Sequence, residues 1–292
     1  MLPVSSLDGQ DGRMPTWPEI RAFAQAAEGA GLDSSWIADH LFYRDDDGAI
    51  HGMHEPFVVL SAVAAVTERI ELGQLVACTS FRSPALTAKL AAALEVIAPG
   101  RTTLGLGAGW HEPEYRAFGY PFDHRVGRFE ESLEIIVRLL RGETVTFDGR
   151  YHTVEGAVLV PAPERRIPVL VAAGKPRMLR LTARWADAYQ IAWFGRVGDR
   201  LRGRFADFSA ALAEEERDPR SIDWTVGITV RDVDQPAIAE PEADAIEGSI
   251  EEVAAGLAEY AELGVDHVIV GLEPMTVRSV ERLGDAVGCL RA

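Results

Sequence analysis

The sequence predicts an α/β protein that folds as a (β/α)8 barrel with an inserted hairpin excursion around residues 142–168. Short apolar runs rich in β-branched residues alternate with helical segments, which is typical of parallel strand–helix–strand units. Eight runs and eight helices follow one another, a number that closes naturally into a barrel. Their even spacing marks no internal boundary, so we expect one domain covering residues 1–292.

The first half of the chain supplies four of these strand–helix pairs. Thr16–Pro18 provides a cap and an early proline for the first helix, and Gly31 ends it. Ser83–Pro84 and Pro99–Gly100 bracket the third helix in a similar way. The predicted strands are residues 1–5, which are few for a strand, 35–38, 70–78 and 102–108; the predicted helices are 17–30, 55–68, 85–98 and 123–141, and the predicted loops are 45–54 and 110–122.

The second half contains one interruption before the alternation resumes. Thr144–His152 alternates about Asp148–Gly149, which is a strong hairpin signal, and Pro161–Pro168 leads back to the barrel. The predicted strands that follow are 169–173, 188–193, 224–230 and 267–271, and the predicted helices are 176–186, 199–216, 249–263 and 276–289.

An open, doubly wound sheet is the alternative fold. It would make Gly105, Gly107 and Gly109 the phosphate-binding turn of a nucleotide site. Their spacing is GxGxG rather than GxGxxG, and Pro113 lies in an aromatic stretch where a helix should begin. The barrel is therefore the preferred interpretation.

Composition limits the classes of partner. The formal net charge is −16, from 29 basic and 45 acidic residues, which opposes binding to nucleic acid and to anionic membranes. The longest apolar run, Pro56–Val66, is far shorter than the roughly 20 residues of a membrane span, and no signal peptide opens the chain. We expect a cytoplasmic protein without a disulfide framework, since Cys78 and Cys289 are its two cysteines.

In a barrel of this kind the active site lies at the carboxyl ends of the strands. Asp39 and His40 end a buried strand and have no packing role there, so we expect them to face a ligand. His40 could be a general acid or base, and a structural histidine bonded to Asp39 is an equally good interpretation. The other stretches that should converge at this end are 79–82, 107–114, 174–177, 193–196 and Glu273.

The turn at Gly174, Lys175, Pro176 and Arg177 joins a predicted strand to a helix. Its free backbone N–H groups, the helix dipole and two cations would suit a phosphate group. An ordinary strand-to-helix turn with an early proline is the competing interpretation. Arg196, after the next strand, is the cation that we expect nearest to a phosphate bound there.

Metal binding has little support in the sequence. His51 and His54 have a helical ligand spacing, but they lie in a glycine-containing loop. His111 and Glu112 have no partner at ligand distance along the chain. We expect no metal site, and neither a nucleophile elbow nor a P-loop indicates hydrolase or kinase chemistry.

Several motifs form a specific combination. Gly31-Leu-Asp33 precedes Trp36-Ile-Ala-Asp39-His40, and Arg69–Trp110 contains R-I-x-L-G-x-L-V, F-R-S-P-A-L-x-A-K and G-R-x-x-L-G-L-G-A-G-W. Together with Tyr115–Phe122 and Ala183–Ala188, these motifs resemble the bacterial luciferase-like monooxygenase superfamily over nearly the whole chain. The sequence is most similar to the subgroup that depends on the deazaflavin coenzyme F420.

This resemblance implies a TIM barrel that binds the deazaflavin ring at the carboxyl ends of its strands and passes a hydride to or from it. A non-prolyl cis peptide near Leu75–Val76 would back the ring, and the glycines of the fourth strand would let a flat ring approach the backbone. The catalytic positions would be Asp39, His40 and Trp110. The cofactor-binding positions would be Leu75, Val76, Ala77, Thr79, Gly107, Ala108, Gly109, Gly174, Lys175, Pro176, Arg177 and Arg196.

The chain departs from these relatives at three places. Residues 1–5 are fewer than their usual first strand. Trp110 stands where the sugar-phosphate dehydrogenases of the group have an acidic catalytic residue, so glucose 6-phosphate is not the expected substrate and the proton donor is unassigned. Ala186–Gln190 has the sequence A-D-A-Y-Q where many relatives have A-D-G-W-N, a difference that could alter contacts beneath the ring.

We therefore predict a cytoplasmic, homodimeric, F420-dependent oxidoreductase acting on an unknown small organic substrate. An FMN-dependent monooxygenase on the same fold is the nearest alternative; reduced FMN activates oxygen, whereas a deazaflavin carries a hydride. A non-catalytic flavin- or deazaflavin-binding protein is the second alternative, suggested by the missing acidic residue at Trp110.

Overall fold

A parallel sheet of eight strands, nearly closed into a barrel and flanked by helices, is the framework of the protein. The structure is a computed structural model that describes residues 1–9, 12–236 and 244–291. The prediction of a (β/α)8 barrel is confirmed. In chain order the elements are α1 (Trp17–Gly29), β1 (Ser34–Ile37), β2 (Phe42–Arg44), β3 (Ile50–Gly52), α2 (Pro56–Ala64), β4 (Glu71–Gln74), β5 (Ala77–Cys78), α3 (Pro84–Ile97), β6 (Thr102–Gly107), α4 (Glu112–Phe118), α5 (Arg125–Leu140), β7 (Val145–Asp148), β8 (Thr153–Ala157), β9 (Val169–Ala172), α6 (Pro176–Trp185), β10 (Ala188–Phe194), α7 (Asp199–Glu214), a 3-10 turn (Pro219–Ser221), β11 (Asp223–Arg231), α8 (Ile250–Glu262), β12 (His267–Glu273) and α9 (Val277–Arg291).

The barrel strands lie in the order β1-β4-β6-β9-β10-β11-β12, and the short β5 also pairs with β6. Each of these pairings is parallel. Two large apolar clusters lie between the sheet and the outer helices. None of the helices in the described ranges is both long and apolar enough to span a membrane. A smaller cluster, which we call the interior plug, consists of Trp36, Leu170, Ala188 and Ile269.

The seam between β1 and β12 is bridged by the start of the chain. The Met1 amino group donates a hydrogen bond to the Val270 carbonyl (2.6 Å), and the Leu2 N–H donates to the Trp36 carbonyl (2.7 Å). The prediction of a regular strand at residues 1–5 is wrong, because this short segment forms single hydrogen bonds to its two neighbours rather than a ladder. Its backbone nevertheless lies in the gap between the two edge strands.

A bulge divides the predicted third strand into β4 and β5. The Leu75–Val76 peptide at the bulge is cis, as the family resemblance implied. A Cβ at Gly105 would lie 1.9 Å from the Gln74 carbonyl oxygen. A Cβ at Gly107 would lie 2.5 Å from Val76 Cγ2. The glycines of β6 therefore make room for the bulge, while the approach of a flat ring to their backbone stays a prediction.

Two stretches predicted as loops contain regular structure. β2 and β3 form an antiparallel hairpin in which Tyr43 lies opposite His51. Helix α4 lies within residues 110–122, because Pro113 occupies its first turn and Gly119 ends it with a φ of +78°. Both elements are too short to show a helical or alternating pattern in the sequence.

The hairpin excursion around residues 142–168 is present. β7 and β8 pair antiparallel, and the Gly149 N–H donates to the His152 carbonyl across the turn (3.0 Å). Glu131 of α5 holds this turn by accepting the backbone N–H groups of Arg150, Tyr151 and His152. Burial raises the pKa of Glu131, but these hydrogen bonds outweigh burial and leave the pKa below its usual value.

Substitution of Gly105 by alanine tests the fit between β6 and the bulge. The new methyl group would overlap the Gln74 carbonyl oxygen, so we expect the free energy of unfolding to fall by roughly 1–3 kcal/mol. Gly203→Ala in α7 is the control, since nothing lies within 4 Å of its Cβ position. Alanine there should raise the free energy of unfolding by about 0.5–1 kcal/mol. Urea denaturation measures both, and an unchanged midpoint for Gly105→Ala would contradict this packing.

His267 makes the stability of the seam depend on pH. Burial lowers its pKa, and its Nε2 lies 2.9 Å from the Ser34 hydroxyl. Below about pH 6.5 the unfolded chain binds a proton at this residue that the folded chain does not bind. The free energy of unfolding therefore falls as the pH falls below this value, by up to about 1.4 kcal/mol per pH unit for one such group.

The variant His267→Gln removes this titration but keeps a polar group for Ser34. We expect its free energy of unfolding to vary less steeply than that of the wild type between about pH 6.5 and 5.5, by up to about 1.4 kcal/mol per unit. Urea denaturation at several pH values measures the two slopes. Equal slopes would mean that His267 is protonated in the folded protein as readily as in the unfolded chain.

Candidate active site

An ion pair buried at the strand ends joins Asp39, after β1, to Arg82, after β5. The guanidinium donates to both carboxylate oxygens, at 2.6 Å from Nη1 to Oδ2 and 3.0 Å from Nη2 to Oδ1. Asp39 Oδ2 also accepts the Cys78 backbone N–H (2.8 Å), and Arg82 reaches Glu55 at the start of α2 (2.6 Å). Burial raises the pKa of Asp39, and the hydrogen bonds from Arg82 oppose that rise. The Asp39 side chain is fully buried, and its contacts with Arg82 and with the Cys78 N–H hold the ends of two strands together. Contact between Asp39 and a ligand stays a prediction.

His40, the next residue, is held by a second buried carboxylate. Its Nδ1 lies 3.0 Å from Glu114 Oε1, and Glu114 Oε2 accepts the Leu41 backbone N–H (2.8 Å). The partner of His40 is therefore Glu114, not Asp39. Because an ionised carboxylate can only accept hydrogen bonds, the neutral tautomer of His40 that fits carries its proton on Nδ1. This arrangement leaves Nε2 outside the pair.

Aromatic rings surround His40. The Trp110 and His40 ring centroids are 5.6 Å apart in an edge arrangement, and Tyr43 lies 5.9 Å from Trp110. His111 stacks on Tyr43 at 4.6 Å and accepts the Arg44 backbone N–H (3.0 Å). Burial lowers the pKa of His111, which favours the neutral ring that this contact needs. We call Tyr43, Trp110 and His111 the aromatic wall; Trp110 is 60% exposed and presents an apolar surface.

Tyr115 and Cys78 close the space behind the glycine-containing end of β6. The Tyr115 hydroxyl donates to the Ala108 carbonyl (2.9 Å) and lies 3.1 Å from Cys78 Sγ. A Cβ at Gly109, whose φ is +73°, would lie 1.8 Å from this hydroxyl. Burial raises the pKa of the Cys78 thiol to about 12, so Cys78 is a packing residue and not a nucleophile. Contact between a ligand and the backbone of Gly107–Gly109 stays a prediction.

The bulge at Leu75–Val76 forms an apolar shelf at the same end of the barrel. The Leu75 N–H donates to the Ile37 carbonyl (2.7 Å), which ties the shelf to the end of β1. Both shelf side chains are half-buried and pack on the interior plug. Ala77 and Thr79, which were also expected to bind the cofactor, are buried beside the shelf.

The turn at Gly174–Arg177 leads from β9 into α6, as predicted. Lys175 precedes the helix without a side-chain cap, and the N–H groups of the first helical turn have no intrahelical acceptor. A Cβ at Gly174 would make an ordinary van der Waals contact with Ile191 Cδ1 at 3.6 Å, so the turn is not crowded. Lys175 is exposed, whereas Arg177 pairs with Glu130 of α5. The turn offers backbone donors and an exposed ammonium group to an anion.

In the described part of the chain, Arg196 contacts α8 rather than this turn. Its guanidinium pairs with Glu259 (2.7 Å) and donates to the Glu252 carbonyl (3.3 Å). A cation that does reach the turn is Arg204 of α7, whose Nη1 lies 3.4 Å from the Gly174 carbonyl oxygen. Proximity along the sequence was therefore a poor guide to the cation nearest the turn.

His51 and His54 have separate partners around the β2–β3 hairpin. His51 Nε2 lies 2.7 Å from Asp45 Oδ2. His54 Nε2 lies 2.8 Å from the Pro15 carbonyl oxygen. His51 therefore braces the hairpin internally, whereas His54 fastens the end of the hairpin to the segment before α1.

Three residues at the strand ends had no role assigned from the sequence. Glu114 and Arg82 lay within predicted strand-end stretches, but their partners are distant in sequence and only the fold brings them together. Trp193 of β10 is the third, and its ring lies 3.1 Å from the Cβ position of Gly227 and 3.5 Å from that of Gly271. Glycines in two neighbouring strands were a signal that a large side chain uses the space beside them.

Comparison with known proteins identifies relatives. A model of the luciferase-like monooxygenase family matches residues 2–245. An F420-dependent glucose-6-phosphate dehydrogenase of Gordonia bronchialis is 33% identical over 231 residues, which cover 76% of this chain and 66% of that protein. A protein of the same name from Kineococcus radiotolerans is 39% identical over 178 residues, which cover 59% of this chain and 51% of the relative. This chain thus spans between half and two thirds of the length of these curated relatives.

A solved structure supports the fold independently. An F420-dependent secondary alcohol dehydrogenase in complex with an F420-acetone adduct superposes with a TM-score of 0.79, covering 94% of each chain. Sequence identity is 19%, so this likeness concerns the fold. The barrel and its flanking helices are shared between the two proteins.

Substitution of Arg82 by methionine tests the ion pair with Asp39. The change leaves a fully buried carboxylate without its partner, and we expect the free energy of unfolding to fall by about 3–5 kcal/mol. Arg116→Met is the control, because Arg116 is 81% exposed in its pair with Glu112, and such pairs contribute about 0–1 kcal/mol. Urea denaturation compares the two, and similar losses would contradict the strand-end role of Asp39.

Proposed function

The chain belongs to the luciferase-like monooxygenase family, and on this premise we propose that it is an F420-dependent oxidoreductase. It transfers a hydride between the deazaflavin and a small organic substrate. The observation that carries the proposal is the His40–Glu114 pair at the end of the barrel that also bears the Leu75–Val76 shelf. A proton-transfer group and a surface for a flat ring then lie at the same end.

The residues of the Gly174–Arg177 turn fit the phosphate of such a cofactor. The first turn of α6 has unpaired backbone N–H groups, and the positive end of the helix dipole favours an anion there. Lys175 adds a flexible, exposed positive charge in a protein whose net charge is −16. These donors would hold the phosphate, and the shelf would support the ring. When bound, the deazaflavin supplies the carbon centre that gives or takes the hydride.

His40 is the residue that we assign to proton transfer. Glu114 holds Nδ1, so Nε2 is the ring nitrogen that accepts a hydroxyl proton when a substrate is oxidised and returns it when a carbonyl is reduced. Glu114 is a positioning residue that fixes both the tautomer and the orientation of the ring. This assignment supplies the proton donor that the sequence left open at Trp110.

The aromatic wall has a different role in this proposal. Trp110 and Tyr43 stand beside His40 and would cover the substrate, which excludes water from the reacting atoms. An exposed indole also favours a substrate with apolar surface over a sugar phosphate. Trp110 therefore acts through packing rather than as an acid.

Location and assembly are further parts of the proposal. We infer a cytoplasmic location and a homodimeric assembly. Light scattering on the purified protein measures its mass in solution.

Anaerobic turnover separates F420 chemistry from FMN chemistry. The purified protein is mixed with oxidised F420 and a panel of secondary alcohols, and with reduced F420 and a panel of ketones and enones. We expect a change in F420 absorbance with at least one compound and no oxygen requirement. Oxygen consumption with reduced FMN, without turnover of F420, would overturn the proposal in favour of a monooxygenase, as the family name allows.

Glu114→Gln tests the positioning of His40. A glutamine amide has one acceptor oxygen where Glu114 has two, so it cannot accept from both His40 Nδ1 and the Leu41 N–H, and it carries no negative charge. We therefore expect kcat to fall by about 10²–10³-fold while F420 binding is kept. Glu112→Gln, on the same helix and exposed, should change kcat by less than about twofold. Steady-state kinetics with a substrate of the wild type measures both, and near wild-type turnover by Glu114→Gln would refute the assignment.

A further inference from the structure

The amide nitrogen of Gln190 is one of several buried polar atoms in the described barrel that have no hydrogen-bond partner. Among the described residues, the side-chain nitrogen of Gln190 in β10 is buried without a hydrogen bond, and the whole residue is 3% exposed. Leaving such a donor unpaired costs about 1–3 kcal/mol, so an unpaired donor at a functional end of a fold suggests that a ligand completes it. Whether a ligand can reach the Gln190 amide depends on where this side chain lies in the barrel.

The side chain of Gln190 faces the barrel interior. Its neighbour Tyr189 stacks on Phe208 of α7 at 4.0 Å, which places Tyr189 on the helix side of the sheet. Ile191, the residue that follows Gln190 in the chain, also lies on the helix side, where it packs against the two large apolar clusters. Because side chains alternate along a strand, Gln190 points the opposite way, into the barrel.

Gln190 also lies at the level along the barrel axis where a cofactor ring on the Leu75–Val76 shelf would rest. Ala188, two residues earlier on β10, belongs to the interior plug, and the Leu75–Val76 shelf packs on the same plug. Gln190 is therefore roughly 6–7 Å further toward the carboxyl ends of the strands. On the neighbouring strand it lies opposite Ala172, two residues before Gly174 of the anion-binding turn. A ring that rests on the shelf, with its phosphate at that turn, would lie next to this amide.

Four other described residues have buried side-chain atoms without a partner, namely Gln74, Ser80, Thr102 and Tyr189, and two of them lie on the helix side of the sheet. Gln74 lies opposite Ile37, a member of a helix-side cluster, and follows Gly73, whose Cβ position is 2.4 Å from the interior Trp36 ring. The Tyr189 hydroxyl is likewise on the helix side. Gln74 therefore provides a control of the same residue type outside the proposed pocket.

We propose that Gln190 binds the pyrimidine edge of the cofactor ring, its Nε2 donating a hydrogen bond to a ring carbonyl. This inference rests on the proposed function for the presence of a ring. The pyrimidine edge, with two carbonyls flanking an imide N–H, is common to deazaflavins and flavins, so the role of Gln190 does not depend on which of them is bound. A neutral amide suits this edge because it offers a donor without placing a buried charge beside the ring.

The test is the dissociation constant of F420, followed by fluorescence, for the wild type, Gln190→Leu, Gln190→Glu and Gln74→Leu. We expect Gln190→Leu to weaken binding roughly tenfold at every pH, because a ring carbonyl loses its donor. Gln190→Glu should bind weakly at high pH, and lowering the pH should restore affinity relative to the wild type, since a protonated carboxyl again donates. Gln74→Leu should bind like the wild type.

Thermal unfolding of the same variants separates binding from folding. Gln190→Leu should be at least as stable as the wild type without ligand, because an unpaired buried amide is replaced by an apolar group. If both Gln190 variants bind F420 with the affinity of the wild type, the inference is overturned. The partner of Nε2 would then be a buried water only. Weak binding by Gln190→Glu at all pH values would also overturn it.

The outcomes for the wild type distinguish this inference from the proposed function. If the wild type binds FMN and not F420, the proposed function fails, and the same variants measured with FMN test Gln190, because the pyrimidine edge is the same. If the wild type binds neither, both are overturned.

Discussion

Buried charge at the carboxyl ends of the strands is the constraint on which the site depends. Asp39 and Arg82 neutralise each other between β1 and β5, and Asp39 also holds the backbone at Cys78. Glu114 brings α4 onto the same end of β1 by binding both His40 and the Leu41 N–H. A buried carboxylate is stable only with such partners, so each one fixes the positions of the groups around it. His40 is thereby held in one orientation at the barrel mouth.

The interior of the barrel is shaped by where side chains are missing. Gly105 and Gly107 leave space for the Leu75–Val76 bulge, and Gly227 and Gly271 leave space for Trp193 across the barrel. Between these two occupied sides the interior plug closes the lower part of the barrel, while Gln190 presents a polar group above it. The result is an apolar floor with the unpaired amide of Gln190 at its edge, on the strand next to the one that leads into α6, where we propose that an anion binds.

The fold was predictable because alternation of strands and helices is a local property of the sequence, and the caps of α1 and α3 marked their ends well. The β2–β3 hairpin and α4 were missed because elements of three to seven residues carry too little periodicity. The site was predictable only in outline. Placing His40 at a strand end was possible from the sequence, but its partner Glu114 is 74 residues away and is known only from the fold. Arg196 was misplaced for the same reason, since its partner Glu259 lies on a helix that returns from 63 residues further along.

The central claim is that this barrel end holds a deazaflavin. The most direct measurement is a fluorescence titration of the purified wild-type protein with F420 and, separately, with FMN. We expect a dissociation constant for F420 on the order of micromolar or lower, and binding of FMN that is at least about tenfold weaker. Tighter binding of FMN than of F420, or binding of neither, would contradict it.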